Sequence, residues 1–316
     1  MGRFVLLVCI LARVTTISPA QTITETFGTG ANVFTMDFVQ IGNPGNAADT
    51  TGAPNPAGAV PYTYNLGKYE VSRDMITKAN SEGNSGITMS DMSNFGGNGV
   101  NRPATGITWF EAAKFVNWLN TSTGGTAAYK FDGSGNFQLW SAGDAGYNAN
   151  NMFRNTLAKY VIASTDEWYK GAYGKADGSW SNFPNGSDSA PTAVASGTAV
   201  NTAVYNQSFG TGPADITSAG GLSAYGTIGQ GGNVWEWSET AYNGSSSTAD
   251  EHRALRGGSW YYIVGSLDAS YSLAIDFPKS ESFDYGIRVA MIPEPSSLSL
   301  LALGSFLMAL RTRRHS

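Results

Sequence analysis

The run Gly231-Gly232-Asn233-Val234-Trp235-Glu236-Trp237 is the most informative stretch of this 316-residue chain. Its glycines permit positive φ angles and a close approach of backbone segments. Trp235 and Trp237 can each bury roughly 150–250 Å² of mostly apolar surface. Glu236 lies between them, and a carboxylate held among aromatic rings must be ion-paired, hydrogen-bonded or metal-bound, because an unpaired buried charge is too costly. The alternative is a corner of the core in which Glu236 has a purely structural role.

Four other parts of the chain, taken in order with this run, resemble the formylglycine-generating, sulfatase-modifying family. Order and spacing agree across residues 64–290. The resemblance implies an α+β, loop-rich variant of the C-type lectin fold with short strands and about three helices. The matching segments are Leu66–Ser72 (LGKYEVS), Arg102–Ala113 (RPATGITWFEAA), Tyr160–Trp168 (YVIASTDEW), and Leu255–Trp260 (LRGGSW) with Tyr285–Ala290 (YGIRVA).

Local patterns predict where the elements lie. Capping boxes at Thr108/Glu111 and Ser164/Glu167 predict helices over Trp109–Leu119 and Trp168–Tyr173. A shorter helix is predicted after Ser72. The predicted strands cover residues 33–39, 64–71 and 286–291.

Four regions are predicted along the chain: a signal peptide (1–20), an N-terminal strand and loop region (21–63), the sulfatase-modifying-factor-like domain (64–291) and a C-terminal sorting signal (292–316). The leader prediction rests on Arg3, the apolar stretch Phe4–Ala12 and the small-residue pattern Ser18-Pro19-Ala20.

The C-terminal region resembles the bacterial PEP-CTERM signal. It contains Pro293, Glu294 and Pro295, a short apolar run over Leu298–Leu310 that predicts a membrane helix, and the basic residues Arg311, Arg313 and Arg314. The resemblance implies that an exosortase-type protease cuts near the proline motif and releases the protein to the cell envelope or exterior. The alternative is a permanent single-pass anchor.

Composition supports an exported protein that does not bind nucleic acid. The chain has 19 basic and 24 acidic residues, and five of the arginines lie in the two terminal signals, so the body carries a net charge of about −10. Nucleic-acid binding needs basic surface to displace counterions. The only cysteine, Cys9, lies in the leader, so the mature body cannot form disulfides.

The residues argue against the family's known oxidative chemistry. The resemblance places the two copper-binding cysteines of formylglycine-generating members at Tyr262 and Leu267, and neither side chain can replace a thiolate. No copper is therefore expected. Related non-haem iron members use histidines, whereas this chain has only His252 and His315, so no iron is expected.

Other catalytic arrangements find little support in the sequence. A Ser/His/Asp triad would have to use His252, whose charged neighbours predict a solvated loop. No spacing favours a carboxylate pair for glycoside cleavage. Arg256 and Arg288 are predicted to anchor the closing strands through carboxylates or carbonyls. An enzyme with a different active site in the same cleft remains an alternative.

The resemblance also implies structural calcium, which takes six to eight oxygen ligands. One site would be built from the Gly232 and Val234 carbonyls, the Asn233 turn and the Glu236 carboxylate. Gly229 stands where the family has an Asp or Asn ligand. A second site would involve Asn206. The alternative is that backbone amides satisfy Glu236 without a metal.

A non-enzymatic function is predicted from the stretch between Trp260 and Tyr285. In lectin-like variable proteins, which this family resembles, the equivalent stretch binds ligands. Trp260 is expected to be buried. The predicted ligand-binding residues, which suit sugar rings or protein surfaces, are Tyr261, Tyr262, Asp268, Tyr271 and Asp276. The predicted function is an exported, non-catalytic binding module of the envelope or matrix, the alternatives being an unrecognised enzyme and a purely structural matrix component.

Overall fold

The computed structural model describes residues 21–244, 246–272 and 274–293. The predicted leader lies outside these ranges, as do most of the predicted sorting residues: Glu294, Pro295, Arg311, Arg313 and Arg314. Across the described ranges, no helix combines the length and the apolar character needed to cross a bilayer. The membrane helix predicted within 292–316 falls on residues beyond them.

Three α-helices occur in the described ranges, and each begins where a capping side chain predicts it. They are α1 (Arg73–Gly83), α2 (Trp109–Ser122) and α3 (Thr165–Tyr173). In both predicted capping boxes, the hydroxyl of the N-cap residue accepts a hydrogen bond from the backbone amide of the third helical residue, a glutamate. The carboxylate of that glutamate accepts in return from the backbone amide of the N-cap residue. The capping residues are Ser72, Thr108 and Ser164.

The strands are short, as the loop-rich class predicts. The described ranges contain β1 (Thr22–Phe27), β2 (Phe34–Ile41), β3 (Tyr64–Gly67), β4 (Lys130–Phe131), β5 (Phe137–Gln138), β6 (Tyr160–Ile162), β7 (Thr192–Ala193), β8 (Thr202–Ala203), β9 (Trp235–Ala241), β10 (Arg253–Arg256), β11 (Ala274–Asp276), β12 (Tyr285–Ile287) and β13 (Val289–Met291). One sheet has the order β1-β2-β3-β13-β6 and a second has the order β11-β10-β9-β12, with two further two-stranded pairs, β4-β5 and β7-β8.

The second sheet brings the motif segments together. Trp235, Glu236 and Trp237 open β9, which pairs in parallel with β12 and antiparallel with β10. Glu236 lies opposite Arg256 on one side and Gly286 on the other. The WEW run is therefore the centre of this sheet, between two strands that come from the closing motifs.

The core is rich in aromatic residues and forms against α2 and α3. The face of α2 that the helical spacing predicts, with Ala112, Phe115, Val116 and Leu119, is fully buried. Four indoles are also fully buried: Trp109, Trp168, Trp237 and Trp260. The prediction that Trp260 is buried is thus confirmed.

The strand predictions are wrong in two places. The strand predicted over 64–71 ends at Gly67, after which the chain turns to reach the Ser72 cap. The strand predicted over 286–291 is divided at Arg288: β12 pairs with β9 in the second sheet, whereas β13 pairs with β3 and β6 in the first. The chain changes sheets where the Arg288 side chain enters the interior.

Candidate functional site

Glu236 and Arg288 form a fully buried ion pair beneath the WEW run. The Arg288 Nη2 atom lies 2.6 Å from Glu236 Oε1, and Nε lies 3.1 Å from each carboxylate oxygen. Arg288 also donates to the carbonyls of Gly67 and Ile228, at 2.9 and 2.8 Å. Charge-assisted contacts of this kind are the strongest hydrogen bonds in proteins. The prediction that Arg288 anchors the closing strands is confirmed.

Three more polar side chains complete this arrangement, which we call the buried charge cluster: Glu70, Trp168, Asn233, Glu236 and Arg288. The Trp168 indole donates to Glu236 Oε2 at 2.5 Å. Asn233 Nδ2 donates to Glu70 Oε2 at 2.6 Å, and Asn233 Oδ1 accepts from the Ala214 amide at 2.8 Å. The cluster joins α3, β9 and the segment between β3 and α1.

Glu70 is the member whose carboxyl group is not fully satisfied. Its Oε1 atom is buried and has no hydrogen-bond partner in the described structure. Burial, followed by the nearby charge of Glu236, raises the pKa of Glu70 well above its usual value, although Arg288 and the hydrogen bonds from Asn233 and the Val234 amide oppose the shift. The sequence reasoning did not identify Glu70 as a site residue.

The two side chains predicted to bind calcium, Asn233 and Glu236, are already used by protein partners in this arrangement. Both oxygens of Glu236 accept from Arg288 or Trp168, and a guanidinium occupies the position next to the carboxylate. The side chain of Asn233 is used by Ala214 and Glu70. Its carbonyl accepts from the Trp260 amide at 3.0 Å. Backbone amides, the predicted alternative, are not what satisfies Glu236.

The other predicted calcium positions lie elsewhere or are filled. Gly229 has φ +81°, and a Cβ atom built there would lie 3.2 Å from the carboxyl carbon and Oε2 of Glu70. Glu70 therefore occupies the space that a side chain at position 229 would need. Asn206 has an exposed side chain and its amide donates to the Tyr262 carbonyl, so no contact joins it to Glu236.

The two positions aligned with the copper cysteines are occupied by ordinary packing residues. Leu267 is fully buried next to Phe183 and Tyr205. Tyr262 is half-buried, and its ring packs edge-on against Trp235 at a centroid distance of 5.2 Å. Copper does not fit this pair of side chains, because neither offers a thiolate.

Near Tyr262, five aromatic side chains from four segments form a surface cluster, which we call the aromatic patch: Phe95, Phe209, Tyr261, Tyr262 and Phe283. Phe209 is 48% exposed and contacts Phe95, Tyr261 and Phe283 at centroid distances of 4.8, 5.1 and 5.0 Å. Tyr261 and Tyr262 are 4.7 Å apart. The buried Trp260 lies beneath and donates from its indole to the Phe209 carbonyl at 3.1 Å.

Two buried polar side chains, Ser259 and Asp284, lie near the aromatic patch, and Ser259 Oγ and Asp284 Oδ2 make no hydrogen bond of good geometry in the described structure. The other carboxylate oxygen of Asp284 accepts from Ser282 at 2.6 Å. Burial raises the pKa of Asp284, and burial together with the Asp284 charge raises the pKa of Tyr261. Polar groups therefore lie close to the ring of Tyr261.

A family model, the sulfatase-modifying factor enzyme 1-like domain, matches residues 29–292. The chain belongs to this family. A second model, the PEP-CTERM protein-sorting motif, matches residues 292–314. This motif implies recognition by exosortase processing machinery, export, and association with the cell envelope after processing. No curated protein matches the chain.

Solved structures share the family fold at low sequence identity. Treponema denticola variable protein 1 is 18% identical, with a TM-score of 0.59 and coverage of 86% of this chain and 99% of its own. CarF is 20% identical, with a TM-score of 0.55 and coverage of 87% and 99%. PvdO from Pseudomonas aeruginosa is 17% identical, with a TM-score of 0.52 and coverage of 88% and 100%. These likenesses support the fold and carry no functional assignment.

Within this sulfatase-modifying-factor fold, the predicted ligand-binding residues are only partly brought together. Tyr261 and Tyr262 belong to the aromatic patch, and Tyr271 is linked to it through Trp235, at a centroid distance of 6.0 Å. Asp276 accepts from the Tyr285 hydroxyl at 3.3 Å. Asp268 instead accepts from the amide and hydroxyl of Ser270 in its own turn.

Sequence reasoning also missed a second buried ionic group of this domain. Arg154 donates to Glu167 and to Glu239, with distances of 2.8–2.9 Å. Tyr62 and Tyr129 donate to the same two carboxylates at 2.6 Å. Burial alone would raise the pKa of Glu167, but the charge and hydrogen bonds of Arg154 lower it to about 2. The capping box identified Glu167, but nothing in the sequence indicated its partner.

Proposed function

We propose that this exported protein uses its sulfatase-modifying-factor domain as a non-catalytic binding module in the cell envelope or extracellular matrix, and that the aromatic patch binds saccharides. The observation that carries the proposal is the patch itself. Its rings are half-buried or exposed, and they contact one another next to the position aligned with a copper cysteine.

The geometry of the patch suits sugar recognition. Exposed aromatic faces can stack on the apolar faces of a pyranose ring, while nearby polar atoms accept hydrogens from its hydroxyls. Contiguous exposed apolar patches on a soluble protein mark interaction sites more often than chance surface. Tyr261 has both features, because its ring belongs to the patch and the pKa of its hydroxyl group is raised by burial and by the charge of Asp284.

The residues also support the non-catalytic part of the proposal. The only cysteine of the chain is Cys9, so no thiolate pair exists for copper chemistry in the domain. The two aligned positions hold a fully buried leucine and a tyrosine that packs edge-on against Trp235. Leu267 thus packs in the interior and Tyr262 packs in the patch, so both positions support a binding surface.

A glycan array probed with the purified protein tests the proposal. We expect selective retention on one group of saccharides, with at least about tenfold weaker binding after Phe209→Ala or Tyr261→Ala, since a lost stacking contact costs more than about 1 kcal/mol. Tyr242→Ala is the matched control, because Tyr242 is 55% exposed on the turn after β9 and lies outside the patch.

Other results would point to the competing functions. Unchanged glycan binding in both patch variants would refute the assignment to the patch. No retention on any saccharide, together with capture of an envelope protein that Tyr261→Ala abolishes, would favour a protein ligand. Catalytic turnover of a substrate by the wild type, lost in the patch variants, would show that the domain is an enzyme. A purely structural component would give none of these signals.

A further inference from the structure

A cavity lies beside the end of β13, where the chain leaves the domain, between the start of α3 and the loop that precedes β6. Its volume is about 370 Å³. This volume lies at the lower end of the roughly 300–1,000 Å³ typical of small-molecule sites. The described residues that line it include none from the aromatic patch. The cavity is therefore a separate candidate site for a small ligand.

The charged groups at this cavity are already paired with one another. Arg154 is the only charged residue among the described lining residues, and its guanidinium donates to Glu167 and Glu239 at 2.8–2.9 Å. Both glutamates are 1% exposed, and each of their four carboxylate oxygens accepts at least one hydrogen bond from the protein. Within the described ranges, no group of three His, Cys, Asp or Glu side chains could hold a metal ion. The cavity thus favours a neutral ligand.

Neutral polar side chains that solvent can reach supply much of the remaining wall. Thr156 is exposed, and Asn148 and Ser164 are half-buried. Asn148 Oδ1 accepts from the Asn150 amide at 3.0 Å, but its Nδ2 group donates to no atom of the described ranges. Ser164 Oγ accepts from the Glu167 amide at 3.2 Å, and its hydroxyl hydrogen is not used there. An amide and a hydroxyl therefore retain donors for a ligand.

Tyr62 adds an aromatic side chain whose position is fixed. Its hydroxyl donates to Glu167 at 2.6 Å, and its ring packs edge-on against Tyr64 at a centroid distance of 6.2 Å. A wall that is held in place before binding lowers the entropy cost of binding. Aromatic surface beside uncharged amide and hydroxyl groups suits a sugar, because a pyranose has an apolar face and hydroxyls that both donate and accept.

We propose that this cavity binds a neutral sugar unit at a site independent of the aromatic patch. Ile292 and Pro293 line the cavity, and the match to the sorting motif begins at Ile292. The sugar site therefore lies next to the part of the chain that the processing machinery recognises. Two separate sugar sites let one domain hold two saccharide chains, which raises its avidity for a polysaccharide without any new contact at the patch.

Saturation-transfer-difference NMR tests the site on purified protein carrying Phe209→Ala, which weakens the patch. The neutral probes are glucose and N-acetylglucosamine, and the charged comparisons are glucuronate and glucosamine. We expect at least one neutral sugar to bind, and both charged sugars to bind at least about fivefold more weakly. Binding by the wild type that Phe209→Ala abolishes would assign all sugar binding to the patch and overturn this second site. Absence of binding by both neutral sugars, or equal binding of a charged one, also overturns it.

Variants made in the same background locate the sugar in the cavity. Asn148→Asp keeps the acceptor for the Asn150 amide but replaces the amide donors with a charge, and Thr156→Trp fills the cavity from an exposed position. Each should weaken sugar binding by at least about fivefold. Asn150→Asp is the matched control, because Asn150 is exposed in the same loop and does not line the cavity.

The control variant should bind the sugar as the Phe209→Ala protein does. If Thr156→Trp does not fold, the comparison of Asn148→Asp with Asn150→Asp decides the question. Unchanged affinity in Asn148→Asp, or an equal loss in Asn150→Asp, overturns the proposal. The glycan-array result for the aromatic patch would stand in either case.

Discussion

The buried charge cluster and the aromatic patch both take residues from the segment 233–262, yet they are built on different principles. In the cluster, every charged atom of Glu236 and Arg288 has a partner and no side chain of the pair is exposed. In the patch, rings contact one another and remain open to solvent, as the 48% exposure of Phe209 shows. The cluster holds backbone segments together through hydrogen bonds, and the patch exposes apolar surface on which a ligand can bind.

This difference explains how the domain keeps its fold without the copper cysteines. Of the two positions aligned with the copper cysteines, Tyr262 lies in the patch and Leu267 lies in a buried cluster with Phe183 and Tyr205. Neither side chain is a partner of the ion pair. The Glu236–Arg288 contact instead ties β9 to the point where the chain changes sheets. Substitutions on the two sides should therefore separate stability from binding.

The largest effect is expected from Glu236→Gln. This change leaves the Arg288 cation buried without its carboxylate, and breaking a buried pair in this way costs about 3–5 kcal/mol. Urea denaturation at neutral pH would measure the loss. Glu281→Gln, an exposed change of the same kind, should alter the free energy of unfolding by less than about 0.5 kcal/mol. A loss below about 1 kcal/mol in Glu236→Gln would show that the pair does not hold the fold.

The second-largest effect is a dependence of stability on pH, which we expect from the ion pair between Arg154 and Glu167. The pKa of Glu167 lies at about 2, below its usual 4.5, so its ion pair stabilises the folded state above pH 4.5. That contribution, roughly 3 kcal/mol by linkage, should disappear as the pH falls from 4.5 towards 2. Chemical denaturation at a series of pH values should show this slope in the wild type and a flatter profile in Glu167→Gln. Equal slopes would contradict the assignment.

A smaller loss is expected from Trp168→Phe. The change removes the indole donor to Glu236 Oε2 and leaves the ion pair with Arg288 in place. Hydrogen bonds to charged groups contribute roughly 1.5–3 kcal/mol, and some cavity cost adds to this. The free energy of unfolding should therefore fall by less than in Glu236→Gln. A larger loss would mean that the indole, and not Arg288, is the main partner of Glu236.

The patch substitution Phe209→Ala should destabilise the protein less than the substitutions of Glu236, Glu167 and Trp168 do. The free energy of unfolding should fall by less than about 1 kcal/mol, because the ring is half exposed. Thermal unfolding can check this on the sample used for glycan binding. Weak binding with an unchanged melting temperature would sharpen the division between cluster and patch. A collapse in stability would place Phe209 in the core.

We expect calcium to leave the stability of the protein unchanged. Since Arg288 and Trp168 satisfy Glu236, adding calcium or a chelator should leave the melting temperature of the purified protein unaltered, because only a ligand of the folded state shifts it. A clear rise with calcium would support the metal prediction and, for a site at Glu236, would require the ion pair to rearrange.

Local signals predicted much of this fold. The caps at Thr108 and Ser164 depend on residues three positions apart, and the buried Trp260 follows a glycine motif, so both could be recognised from the sequence. The partner of Glu236 could not, because Arg288 is 52 residues away and reaches it only when two sheets meet. Phe95 and Phe209 join the patch from loops that carry no motif.

The division of the final strand at Arg288 has a consequence for maturation. Because β13 supplies Val289, Ala290 and Met291 to the interior of the first sheet, between β3 and β6, that sheet is complete only when the last residues before the sorting motif have left the export machinery. The Pro293-Glu294-Pro295 motif follows β13, so a cut there leaves every strand of the described ranges in the released domain.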